Sequence, residues 1–110
     1  MTIKLFIDDI RQPCDVGFIN SEWVVARTYS EAMRYIESFK PQLISFDHDL
    51  GYMQPSGFDI AKELLNLDMD LGEYISSDFK YYVHSANPIG AENIRSLLDN
   101  YIDVRTNGRK

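Results

Sequence analysis

The chain has 110 residues, 17 acidic against 11 basic side chains for a formal charge of −6, 45% hydrophobic residues, two histidines and one cysteine. That is the size and composition of a single folded domain, 1–110, which excludes a mostly disordered chain; the lone cysteine excludes an intramolecular disulfide, and no apolar run approaches the roughly 20 residues of a membrane span. The negative balance argues against an extended nucleic-acid surface, since backbone binding needs Lys and Arg to neutralise phosphates, but it leaves room for a small anionic ligand, especially beside a metal ion.

In chain order, Ile3–Ile7 is a nearly continuous apolar run ending in Asp8-Asp9, the pattern of a strand buried on both faces. Residues 10–22 carry Pro13, Gly17, Asn20 and Ser21 and lack a helical period, which predicts a loop with at most one irregular turn. Trp23–Arg27 is a second strand. Thr28 and Glu31 then form a capping-box pattern, followed by Tyr29, Ala32, Met33, Ile36 and Phe39 at helical spacing, and Lys40-Pro41 ends that helix. Gln42–Phe46 is a third strand, closing on Asp47-His48-Asp49. A turn-rich segment leads to a helix at about 57–67, with Ser56 and Asp59 as its cap pair and Phe58, Ile60, Ala61, Leu64 and Leu65 inward. Residues 68–78 (Asp68, Asp70, Glu73 and Asp78 among them) are expected as a solvated acidic loop, able to contact a basic protein partner. Phe79–Val83 is a fourth strand, ending in His84-Ser85-Ala86-Asn87-Pro88. A last helix is expected from about Gly90 to Tyr101 or Ile102, followed by a polar tail, 103–110. Strands alternating with helices indicate an α/β fold with a mainly parallel sheet of about four strands.

Three strands therefore end in polar clusters: Asp8-Asp9 with Arg11, Asp47-His48-Asp49, and His84-Ser85 with Asn87. In open parallel sheets ligands bind outside the carboxyl ends of the strands, so the clusters are expected to meet in one site. Four carboxylates crowded there repel one another unless protonated, dispersed or neutralised, and a divalent cation with oxygen ligands, Mg²⁺ or Mn²⁺, is the expected solution. His48 and His84 titrate near neutrality and are candidates for general acid and base, or for metal ligands. Arg11 is the candidate phosphate ligand, with its pairing to Asp8 or Asp9 as the alternative. Backbone N–H groups near Gly90, at the start of the last helix, are a second place for an anion. Cys14 has no partner and no activating neighbour, and no glycine-rich phosphate loop is present.

These motifs resemble a known family. An acidic pair after strand one, Asp47 after strand three, Gly57 opening the next helix and Ser85-Ala86 after strand four are similar to a response-regulator receiver, in which such acids hold Mg²⁺ and the third-strand Asp accepts a phosphoryl group. The closer resemblance is to the cyclic-phosphate processing receiver-like domains, common in phages and bacteria. It rests on Phe6–Pro13, on Ser45–Gly51, on Val83–Gly90 and on Asn93. It implies a flavodoxin-like fold, and this sequence is reduced relative to a full receiver: residues 10–22 lack the helix pattern expected between strands one and two, and there is no convincing fifth strand and no counterpart of the receiver's lysine. The expected activity is hydrolysis of a cyclic phosphate on a nucleotide, RNA end or ADP-ribose derivative. Asp8, Asp9 and Asp47 would hold the metal, His48, His84, Asp47 and Asp49 would carry the chemistry, and Arg11, Ser85, Asn87, Gly90 and Asn93 would bind substrate. The alternatives are phosphoryl transfer through Asp47 and a non-catalytic module that binds a nucleotide or a protein. With no signal-peptide pattern the cytoplasm is the expected location, that of the host if the chain is phage-encoded.

Overall fold

The computed structural model describes residues 3–51, 54–72, 75 and 78–107. Four strands, β1 (Lys4–Ile7), β2 (Val24–Ala26), β3 (Leu43–Phe46) and β4 (Lys80–Val83), form one wholly parallel sheet in the order β2-β1-β3-β4. Three helices, α1 (Tyr29–Phe39), α2 (Gly57–Leu71) and α3 (Pro88–Asn107), complete the fold. Among the described residues no helix is long and apolar enough to cross a membrane.

The sheet order explains the layering. From β2 onward each connection steps across the sheet in one direction, while β1 to β2 steps the other way. Parallel crossovers are right-handed, so the first connection must lie on the opposite face from α1 and α2. Alternate strand residues follow that division. Leu5, Ile7, Ala26, Ile44 and Phe46 join Ala32, Met33 and Ile36 of α1, Ile60, Ala61, Leu64 and Leu65 of α2, and Ile94 and Leu98 of α3 in one buried core. On the other face Phe6 is fully buried beneath segment 10–22: Phe18 and Trp23 meet its ring edge-on at 6.4 and 6.1 Å. The helix that segment lacks is thus replaced by two aromatic rings, each placed just after a 3-10 turn, Pro13–Val16 and Asn20–Glu22, where the sequence predicts at most one turn.

Two helices are longer than their apolar pattern indicates. α2 runs to Leu71 because Asp68 continues its buried face: the carboxylate is 3% exposed and accepts from Ile75 N at 2.7 Å and Tyr101 Oη at 2.7 Å. Asp68 is therefore a structural acid rather than part of a solvated loop. Glu73 and the tail beyond 107 lie outside the described residues. α3 starts two residues early, at Pro88, a residue suited to the first helical position because its missing N–H is not needed there. Asn87 caps it, with Oδ1 accepting from Gly90 N at 3.0 Å. The Ser56–Asp59 capping box forms as expected, but the one at α1 is only half made. Thr28 Oγ1 accepts from Glu31 N, while Glu31 reaches back to Arg27 N rather than to Thr28.

Candidate functional site at the carboxyl edge of the sheet

The ladders continue one residue past the strands. Asp8 N donates to Ala26 O, Asp47 N to Ile7 O and His84 N to Phe46 O, at 3.0–3.1 Å. Ile7 is in register with Phe46, and Phe46 with Val83, so Asp8, Asp47 and His84 follow side by side at the next step. Regular hydrogen bonding of a parallel sheet thus gathers residues 39 and 76 positions apart in the chain. They meet between β1 and β3, where the direction of the connections reverses, the usual crevice for ligands in such sheets. The depression there, of about 340 Å³, is lined by Asp8, Asp9, Ile10, Arg11, Asp47, Asp49, Gly51, Ser85, Ala86 and Asn87.

Asp8 is the hub. It is fully buried, and its two oxygens accept four bonds: Oδ1 from Ile10 N (2.9 Å) and Arg11 N (2.8 Å), Oδ2 from Arg11 Nε (2.8 Å) and His84 Nε2 (3.1 Å). Burial alone would raise its pKa. The backbone N–H groups of Arg11 and Ile10, the guanidinium and the His84 ring outweigh that and hold it below the ordinary value. The Arg11 guanidinium then spans to Asp47, with Nη2 at 3.2 Å from Oδ1. Arg27, which the sequence pattern did not single out, donates through Nη1 to the carbonyls of Asp8 and Arg11 and so fixes the intervening turn.

Asp47 behaves oppositely. Burial, and then the negative charges of Asp8 and, more weakly, Asp9, push its pKa up against the pull of Arg11 and of the His48 N–H. Its Oδ1 is engaged by that N–H (2.9 Å) and by Arg11, while Oδ2 has no partner among the described residues. Asp9 likewise has no side-chain partner among them.

The histidines separate. The His84 ring is 6% exposed, stacks on Phe6 with centroids 4.3 Å apart, and uses both nitrogens, Nε2 on Asp8 and Nδ1 on Ser45 Oγ at 2.7 Å. Burial lowers its pKa although Asp8 pulls the other way, so it is a neutral, fully bonded ring. The His48 ring is 22% exposed, with Nδ1 3.1 Å from Asp49 Oδ1 and no partner for Nε2 among the described residues. It stands beside the depression, against Gly90. A Cβ on that glycine would meet the ring at 2.3–2.7 Å, so a larger residue there must displace the His48 ring.

The remaining expected substrate ligands divide as well. Ser85 and Asn87 line the depression; Ser85 Oγ accepts from Asn87 N at 3.0 Å. The Gly90 N–H is not free for an anion, because the Asn87 cap consumes it, and neither Gly90 nor the exposed Asn93 is among the lining residues.

Asp8, Asp9 and Asp47 offer carboxylate oxygens within 4.8 Å of one another, a spacing able to hold a metal ion. The donor chemistry fits a hard cation at Asp9 and Asp47, which have unengaged oxygens, better than at Asp8, whose oxygens are saturated.

The titrations predict acid sensitivity. A base with a lowered pKa and an acid with a lowered pKa both leave the folded chain binding fewer protons than the unfolded one, so stability falls with pH. For His84 the contribution is whole above its ordinary value of 6.5 and is lost as the pH falls from there through the folded value. Asp8 adds a loss below its ordinary 3.8. Asp47, with a raised pKa, gives back stability as the pH falls through its folded value towards 3.8. The urea midpoint is expected to drop between pH 7 and pH 5, and His84→Gln to flatten that part of the curve. An unchanged slope in the variant would assign the loss elsewhere.

Residues 3–100 match the family model of the cyclic-phosphate processing receiver domain. No curated protein and no solved structure matches the chain.

Proposed function

Because the chain belongs to the cyclic-phosphate processing receiver domains, we propose that its depression binds and hydrolyses a cyclic phosphate ester on a nucleotide-like ligand. The observation that carries this reading is the convergence of Arg11, Ser85 and Asn87 with Asp9 and Asp47 in one depression at the β1–β3 crevice. The Arg11 guanidinium, Ser85 Oγ and the Asn87 amide are the groups for the phosphate oxygens. A divalent cation on Asp9 and Asp47, when bound, would offset the crowded carboxylates and polarise the phosphoryl group.

The chain's own part is to orient the ester and move protons. His48 is the group for proton transfer: Asp49 holds the Nδ1 side of the ring, which leaves Nε2 to take a proton from water as its oxygen bonds to phosphorus. One ring P–O bond breaks, and the leaving oxygen receives a proton, giving a phosphomonoester with a free neighbouring hydroxyl. His84, with both nitrogens bonded, holds Asp8 rather than exchanging protons.

The test is turnover of 2′,3′-cyclic nucleotides and an ADP-ribose cyclic phosphate with Mg²⁺ or Mn²⁺, followed by ³¹P NMR. His48→Ala is expected to lower kcat by about 10²- to 10⁴-fold, the usual share of a general acid or base. Binding of these ligands with no turnover would instead make the domain a ligand-binding module, and the absence of both binding and turnover would overturn the reading.

A further inference from the structure

Ser45 opens the Ser45–Gly51 motif but is given no role among the expected site residues, yet it stands behind the whole site. It is fully buried on β3, and its Oγ lies 2.7 Å from His84 Nδ1. The other ring nitrogen reaches Asp8 Oδ2, the same oxygen that receives Arg11 Nε. We propose that Ser45 is a positioning residue which, through the His84 ring, fixes the Asp8 carboxylate and thereby the Arg11 guanidinium at the depression. The proposal rests on the phosphate-binding role given to Arg11 above.

The proton inventory leaves one arrangement. An ionised Asp8 can only accept, so His84 Nε2 carries the proton; a neutral imidazole has one, so Nδ1 is an acceptor and the Ser45 hydroxyl must donate to it. The ring is then held at both nitrogens and laid flat on Phe6, with planes 7° from parallel. The composition is that of a Ser-His-Asp triad, but the role is different. Ser45 has no exposed surface, so a substrate cannot reach its oxygen, and the trio transmits position rather than a nucleophile. Asp8 Oδ2 accepts from two donors, so the direction in which it presents its lone pairs to Arg11 depends on where the ring stands. Without the Ser45 hydroxyl, Nδ1 is left buried with no donor, and the ring is restrained at one nitrogen only.

Three variants separate this from a packing role. Ser45→Thr keeps a hydroxyl, Ser45→Val has the same shape without one, and Ser45→Ala serves if the larger residues prevent folding. The readouts are the ¹⁵N signals of His84, the exchange rate of the Arg11 Nε proton with water, and the affinity for inorganic phosphate. The wild type is expected to show the Nε2–H tautomer and a protected Arg11 Nε proton. Exchange is expected to accelerate, and phosphate affinity to fall, by about tenfold in Ser45→Val and Ser45→Ala, the size of one lost buried hydrogen bond, while Ser45→Thr stays close to wild type. Equal behaviour of Thr and Val, unchanged Arg11 exchange in Ala, or an Nδ1–H tautomer in the wild type would overturn the proposal. If Arg11 exchange responds as expected but no protein in the series binds phosphate, the positioning chain stands and the phosphate reading falls.

Discussion

Gly57→Ala is expected to destabilise the domain by about 3 kcal/mol or more and to abolish ligand binding. A Cβ at Gly57 would lie 1.7 Å from the Asp47 carbonyl oxygen and 2.9 Å from its carbon. These are backbone atoms at the end of a central strand, unable to swing aside as the tip of a long side chain would. The contact exists because the first residue of α2 sits directly on the Asp47-His48 turn, with Gly57 N donating to His48 O at 2.8 Å. That bond ties the helix start to the residues whose Oδ2 and Nε2 have no partner among the described residues, so relief of the clash must move the site. Gly17→Ala is the control. Its φ of 95° makes alanine strained, but nothing lies within 4 Å of the added carbon, and Gly17 does not line the depression. It is expected to cost about 1 kcal/mol and to leave binding intact. Urea melts of both variants decide the matter; equal, small losses would show that the Asp47 turn can yield.

Arg11→Lys is expected to lower kcat/KM for a cyclic phosphate by about 10²- to 10³-fold, as removal of a directed donor to a developing oxyanion does. The substitution keeps the charge and loses the shape. Nε to Asp8 at 2.8 Å and Nη2 to Asp47 at 3.2 Å use two edges of one rigid plane, and a single ammonium cannot reproduce that span while also presenting donors to a ligand. Arg11→Ala carries a second expectation of opposite sign. The guanidinium occupies Asp47 Oδ1, where it competes with any cation held by Asp47 and Asp9. Its removal is expected to raise the affinity for Mn²⁺ while turnover falls. A titration in which Mn²⁺ affinity falls along with activity would mean that Arg11 supports the cation site rather than competing with it.

Much of the fold was legible in the sequence because its signals are local. Apolar runs of four or five residues ending in acids, the Thr28 and Ser56 caps and the Lys40-Pro41 stop each depend on a few neighbouring residues, and the elements appear where those signals stand. The helix ends were less legible where an end depends on a distant partner. Asp68 looks like a solvated acid until Tyr101, 33 residues away, is seen to donate to it. Asn87-Pro88 looks like a turn until Asn87 is seen to cap α3.

That Asp8, Asp47 and His84 end parallel strands at one edge of a sheet was readable from the chain alone, since short apolar runs and strand–helix order suffice to bring those ends together. What each residue can do there depends on the folded surroundings. Two histidines of similar pattern part company because one lies against Phe6 with both nitrogens bonded and the other stands partly in solvent with one nitrogen unpartnered among the described residues. Adjacent acids part likewise: Asp8 is saturated and held ionised, while Asp9 keeps its oxygens unengaged among the described residues. Neither Ser45 nor Arg27 was among the expected site residues, yet one braces the imidazole and the other the Asp8–Arg11 turn. Ionisation and hydrogen bonding are set by burial and by the three-dimensional count of donors and acceptors, and neither is encoded in the spacing of residues along the chain.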